Sequence, residues 1–197
     1  MKVITTILVL VVLLAAGFFI FIYSGVYNIA ASEPHFGPIR WVLETTMANS
    51  VRAHADEIET PPLTKQDKDK GFKHFDGLCV TCHGAPGVSA SEIGIGLRPQ
   101  PPELSQHVGE WRAAELFWIT QHGFKYTGMP AFGKTHTEED LWNIVAFLEE
   151  LPKISAKQYK QLRKQLGSGS SKHQHQSQTP LPQYETQQHA TIQRRAI

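Results

Sequence analysis

Cysteine is nearly absent. Of 197 residues only two are Cys and three are Met. A single pair of thiols cannot build a disulfide framework. An excess of charge of either sign is missing as well: 19 Lys and Arg face 18 Asp and Glu, a net charge of +1, which argues against nucleic acid as a partner. The alternation of strands and helices expected of a redox dithiol protein is not seen, and no pair of histidines at finger-like spacing follows the cysteines to complete a zinc site. Charge is missing altogether from Val3 to Tyr23.

The two cysteines sit together, in Cys79-Val80-Thr81-Cys82-His83. This reads as a c-type haem attachment site. Thiols three positions apart reach the two vinyl groups of one porphyrin, and the next residue turns an imidazole onto the iron. A redox dithiol or a structural zinc is the alternative, and the rest of the chain offers either little support. Covalent haem attachment takes place outside the cytoplasm, so the motif also sets the compartment.

The uncharged run Val3 to Tyr23 is about 21 residues, roughly 31 Å as a helix, enough to cross a bilayer core. A cleaved signal peptide is the rival reading. Its apolar region usually runs about 7–15 residues, and the candidate cleavage positions near Ala30 and Ala31 lie far from the centre of this run. An uncleaved anchor is therefore expected over 1–25, with the N-terminus in the cytoplasm by the positive-inside rule and the haem domain on the periplasmic side of a bacterial cytoplasmic membrane. Residues 26–63 form a juxtamembrane helix and linker, in which Ile39, Leu43, Met47, Val51 and Ala55 make a narrow apolar stripe. Either this helix packs on its neighbour or it is a marginal linker. Pro61 and Pro62 close the segment. A haem domain is expected over 64–166 and a disordered Gln- and His-rich tail over 167–197.

Within 64–166, Thr64 and Asp67 have the spacing of a capping box for a helix running to Cys79. Gly71 and Phe75 stand eight and four residues before Cys79, on one face in line with it. The Gly- and Pro-rich stretch from His83 to about Val108 reads as loop. A short helix follows from Trp111 to about Gln121, ended by Gly123, with Leu116 and Ile119 turned inward. Trp111 and Trp118 are packing residues or reach a polar group of the cofactor. Thr137 and Asp140 open the clearest helix, whose stripe is Leu141, Ile144, Val145, Leu148 and Leu151. A basic helical piece carries Lys157, Lys160, Arg163 and Lys164, read as a solvated face, with docking of a partner as the alternative.

Over roughly residues 65 to 152, Gly71, Phe75, Cys79, Cys82 and His83 resemble the N-terminal helix and haem site of class I cytochromes c. The resemblance implies an all-α fold in which that helix crosses the last one, with Phe147 packed against Gly71 and Phe75. It also implies that a proline carbonyl accepts the N–H of the axial His; Pro102 is the candidate, with Leu104 against the porphyrin. Met129, between Gly128 and Pro130 and 46 residues after His83, matches the family's sixth iron ligand. His107, His122 and His136 are the alternatives. The expected function is electron transfer by one haem c in a membrane-bound respiratory or dehydrogenase chain, with redox proteins as partners. The chain is read as a carrier rather than an enzyme. The runner-up reading is the haem subunit of a larger oxidase or dehydrogenase complex, and a haem sensor or small peroxidase would require an open sixth position. Charges over 65–165 nearly cancel, 13 basic against 12 acidic, and so do not name the partner.

Overall fold

The computed structural model describes residues 2–166. The expected C-terminal tail lies outside them. Among the described residues the fold is all-α, without a strand. Helix α1, Lys2–Tyr23, is 22 residues long with no buried side chain, and it alone of the described helices is long and apolar enough to cross a membrane. Helix α2, Gly37–Ala55, begins where Pro38 can occupy the first turn without losing a hydrogen bond.

Helix α3, Lys65–His74, starts at the expected capping box: Asp67 N–H donates to Thr64 Oγ1 at 3.3 Å and Thr64 N–H to Asp67 Oδ2 at 2.8 Å. It does not continue as α-helix to Cys79. Residues Phe75–Cys79 form a π turn before the single turn α4, Val80–His83. The stretch expected to be loop contains two short helices, α5 (Glu92–Gly96) and α6 (Leu104–His107), then a 3-10 turn at Val108–Glu110. Helix α7 spans Ala113–His122 and α8 spans Glu138–Glu150, the latter opened by the Thr137–Asp140 box. A last helix, α9, covers Ala156–Leu166.

The core forms where α3 and α8 cross. A Cβ on Gly71 would overlap the Asn143 carbonyl, so only glycine lets the two backbones approach this closely. Phe147 then packs its ring 5.4 Å from Phe72 and 5.1 Å from Phe75. Every residue from Leu141 to Leu148 is buried, since α7 covers the second side of α8 with Phe117 stacked 4.2 Å from Trp142. Helix α9 is not merely a solvated face. Its Tyr159, 1% exposed, wedges against Phe72 and Phe75, while the lysines face outward. The juxtamembrane helix packs on α7: Val51 and Ala55 are both fully buried. The rest of its predicted stripe is only partly used, with Met47 and Ile39 half-buried and Leu43 exposed.

Candidate haem site

Cys79 ends the π turn, and Cys82 and His83 lie on α4. Both cysteines are free thiols, neither fully buried as a residue. In the π turn Val80 N–H reaches back five residues to the Phe75 carbonyl. The wider turn inserts one residue ahead of the motif and rotates Cys79 off the line of Gly71 and Phe75. Phe75 stays in the core at 0% exposure, whereas Cys79 sits at the core's edge. Its sulfur is nonetheless densely surrounded, and burial, with a smaller effect from Cys82, pushes the thiol up to about 12.

Contacts from distant segments hold this turn. Asp76, inside the π turn, accepts from the Tyr159 hydroxyl at 2.7 Å and pairs with Arg163 Nε at 2.8 Å. Ser91 N–H donates to the Thr81 carbonyl at 2.9 Å. Gly94 lies so near that a Cβ there would stand 2.7 Å from the Cys82 carbonyl oxygen. Nothing in the local sequence assigns these residues to the turn, although Gly94 in a Gly-rich stretch is a signal of close approach.

His83 Nδ1 donates to the Pro102 carbonyl at 2.9 Å. A carbonyl oxygen only accepts, so the neutral ring carries its proton on Nδ1 and keeps the lone pair on Nε2. Burial lowers the pKa of this imidazole, partly opposed by the Pro102 carbonyl, which favours the neutral form that can bind a metal. Leu104, two residues beyond Pro102, is half-buried against the core at the start of α6.

Met129 lies on the loop after α7 and is half-buried. Gly123 ends α7 at φ 59°, and a Cβ there would meet the Met129 carbonyl oxygen at 2.5 Å. Phe124 N–H donates to that carbonyl at 3.3 Å, while Met129 N–H donates to Thr127 Oγ1 at 3.1 Å. The methionine backbone is thus held on both sides. A Cβ on the adjacent Gly128 would fall 2.5 Å from Leu97 Cδ1, so the methionine loop meets the segment that follows α5 and the Cys-His turn.

The histidines weighed against Met129 each have a neighbour of their own. His107 pairs with Glu110 at 2.8 Å, His122 lies 4.9 Å from the Trp118 ring, and His136 lies 5.5 Å from Phe132. The two tryptophans serve α2: Trp118 is 5.6 Å from His54, and the Arg52 guanidinium sits 5.9 Å over Trp111. Among the described residues no group of three or more His, Cys, Asp or Glu is placed to hold a metal ion.

Residues 66–148 match the family model described as cytochrome c oxidase, cbb3-type, subunit III. These residues form a monohaem c-type cytochrome domain. No curated protein matches the chain significantly. A cytochrome of this type carries haem c, an iron porphyrin bound covalently, and transfers electrons through it. The donor set fits that group: two free thiols on adjacent turns, followed by an imidazole whose Nε2 lone pair is not committed to the protein. The cytochrome's place is either that of an electron carrier or that of an oxidase subunit.

Proposed function

We propose that the chain is a membrane-anchored, single-haem electron carrier whose haem is linked to Cys79 and Cys82 and whose iron is held by His83 and Met129. Its units are the anchor over 1–25, the juxtamembrane segment over 26–63 and the cytochrome domain over 64–166. The observation that carries this reading is the 2.9 Å hydrogen bond from His83 Nδ1 to the Pro102 carbonyl. It fixes the ring and the tautomer, and it raises the donor strength of Nε2.

Bound haem c supplies a one-electron Fe(III)/Fe(II) couple. Cys79 and Cys82 keep the group from leaving, Leu104 lines its pocket, and Met129 offers a soft thioether that favours Fe(II) and raises the potential. With His83 and Met129 both holding the iron, the protein would leave no coordination site open to a substrate. With α1 across the membrane, haem attachment outside the cytoplasm and the positive-inside rule favour the periplasmic side for the domain, with its redox partners at the membrane.

A second reading is a haem subunit of a membrane oxidase complex, supported by the description of the matching family. It uses the same ligands and differs only in whether the domain leaves its partner between electrons.

Ligation by Met129 is tested on the wild-type protein and Met129→Ala. The wild type should be low-spin when oxidised, with a weak sulfur-to-iron charge-transfer band, and should bind carbon monoxide poorly when reduced. Met129→Ala should bind carbon monoxide, gain some peroxidase activity and show a lower potential, while His122→Ala leaves the spectrum unchanged. A high-spin wild-type protein that binds carbon monoxide readily would overturn the carrier reading in favour of a sensor or peroxidase.

A further inference from the structure

The second half of α2 is occupied by the cytochrome domain, through Val51 and Ala55. The first half is not. Ile39, Val42, Leu43 and Thr46 have the i, i+3, i+4, i+7 spacing that puts them on one helix face. Val42 and Leu43 are about half exposed, and Phe36 and Trp41 are 68% and 66% exposed. None of these four belongs to the core or packs against it. Arg40 and Glu44 pair with each other at 3.3 Å, so the charges of this half satisfy one another.

The start of α2 is stapled to the end of α1. Phe21, in the last turn of α1, lies 6.3 Å from the Tyr27 ring. Tyr27 in turn stacks on His35 at 6.4 Å and hydrogen-bonds its Nδ1 at 2.7 Å. The chain between the helices therefore doubles back, and Phe36 and α2 begin beside the residues where α1 would leave the bilayer. Tyr23, Tyr27, Phe36 and Trp41 supply there the aromatic side chains that favour the boundary between lipid and water.

We propose that the first half of α2 lies in the interfacial layer of the bilayer, with Val42 and Leu43 turned toward lipid, and so presents the cytochrome domain to the membrane in a fixed orientation. The proposal rests on the reading of α1 as an uncleaved anchor. A lipid surface fits better than a protein groove because the exposed face is continuous, through Phe21 and Tyr27, with a helix whose side chains are themselves exposed along its length.

The test uses the full haem-loaded chain in lipid nanodiscs, one chain per disc, carrying Val42→Cys, Leu43→Cys or Glu44→Cys labelled with a nitroxide. The native cysteines are taken up by haem, so the unsubstituted protein should take no label. Collision with dissolved oxygen and with a water-soluble nickel chelate then reports depth. At positions 42 and 43 the ratio of oxygen to nickel accessibility should exceed that at position 44 by several-fold. Equal ratios at all three positions would mean that the face looks into water. An immobile label at 42 and 43, reached by neither agent, would mean that a protein surface covers the face. Either result overturns the proposal. Protein that does not stay with the discs removes the anchor reading and this proposal together, whereas retained protein with water-exposed labels removes this proposal alone.

Discussion

At Gly71 two effects of opposite sign compete. Replacing a helical glycine by alanine gains about 1 kcal/mol of helix propensity, but overpacking a tight contact costs about 1–3 kcal/mol. The neighbour here is the backbone carbonyl of Asn143, which cannot swing aside as a side chain could, so the cost wins. Gly71→Ala should lower the stability of the cytochrome domain, and Gly71→Leu should lower it further, by about 1–3 kcal/mol or more. Gly77 is the control, because a Cβ there would meet nothing within 4 Å. Gly77→Ala should be neutral or slightly stabilising. Denaturant midpoints of the three variants decide it: an unchanged midpoint for both Gly71 variants would mean that α3 and α8 do not cross at this residue.

Among the elements, α3 and α8 begin with the same device. Thr64 and Thr137 each exchange hydrogen bonds with an aspartate three residues on. Thr137→Ala should cost about 1 kcal/mol at neutral pH. The aspartates add a pH dependence. The Asp67 carboxyl is held below its usual range by the Thr64 backbone N–H and hydroxyl. Burial pushes Asp140 upward, but the Thr137 hydroxyl and N–H, with His74 and His136 nearby, outweigh it and the net direction is also down. A lowered folded-state pKa gives stabilisation that is complete above the unfolded value, about 3.9, and lost as pH falls through the folded one. The stability gap between wild type and Asp140→Asn should therefore shrink from neutral pH toward about pH 2; a gap of constant size would show that the carboxylate charge contributes nothing. These boxes were legible in the sequence because all their atoms lie within one turn, as were the haem motif and the stripe of α8. The π turn was not. Its Asp76 is held by Tyr159 and Arg163, more than 80 residues later, and local periodicity carries no information about such a partner. Basic composition likewise concealed the docking of α9, since Tyr159, Leu162 and Leu166 pack on the core and Arg163 pairs with Asp76 while the lysines around them face outward. The Met129 loop could be located from its Gly and Pro neighbours, yet the contact between Gly128 and Leu97 required the fold.

For the whole molecule, what matters is how much chain separates the bilayer from the haem. If α2 were free of the domain, the tether would run from Ser24 to Leu63, long enough for the cytochrome to swing widely. With Val51 and Ala55 buried on α7, and Arg112 within 3.7 Å of Asp56 just past the helix end, the tether shortens to residues 24–36, at most about 45 Å when fully extended. With α1 in the bilayer, as proposed, the domain would be confined near the membrane, which would favour partners embedded there over diffusing ones. Burying one Val side chain is worth about 1.5–3 kcal/mol, so Val51→Asp should release α2, and Val51→Ala should loosen it. Amide exchange over 47–55 should accelerate about ten- to hundred-fold in Val51→Asp, the factor that this energy corresponds to at 1.4 kcal/mol per tenfold. Exchange in α8 and the haem spectrum should remain as in the wild type, and the protein should stay in the membrane fraction after high-salt and alkaline washes. Acceleration in α8 as well would mean that α2 is an integral part of the cytochrome fold, while unchanged exchange over 47–55 would mean that the contact with α7 does not hold the helix in place.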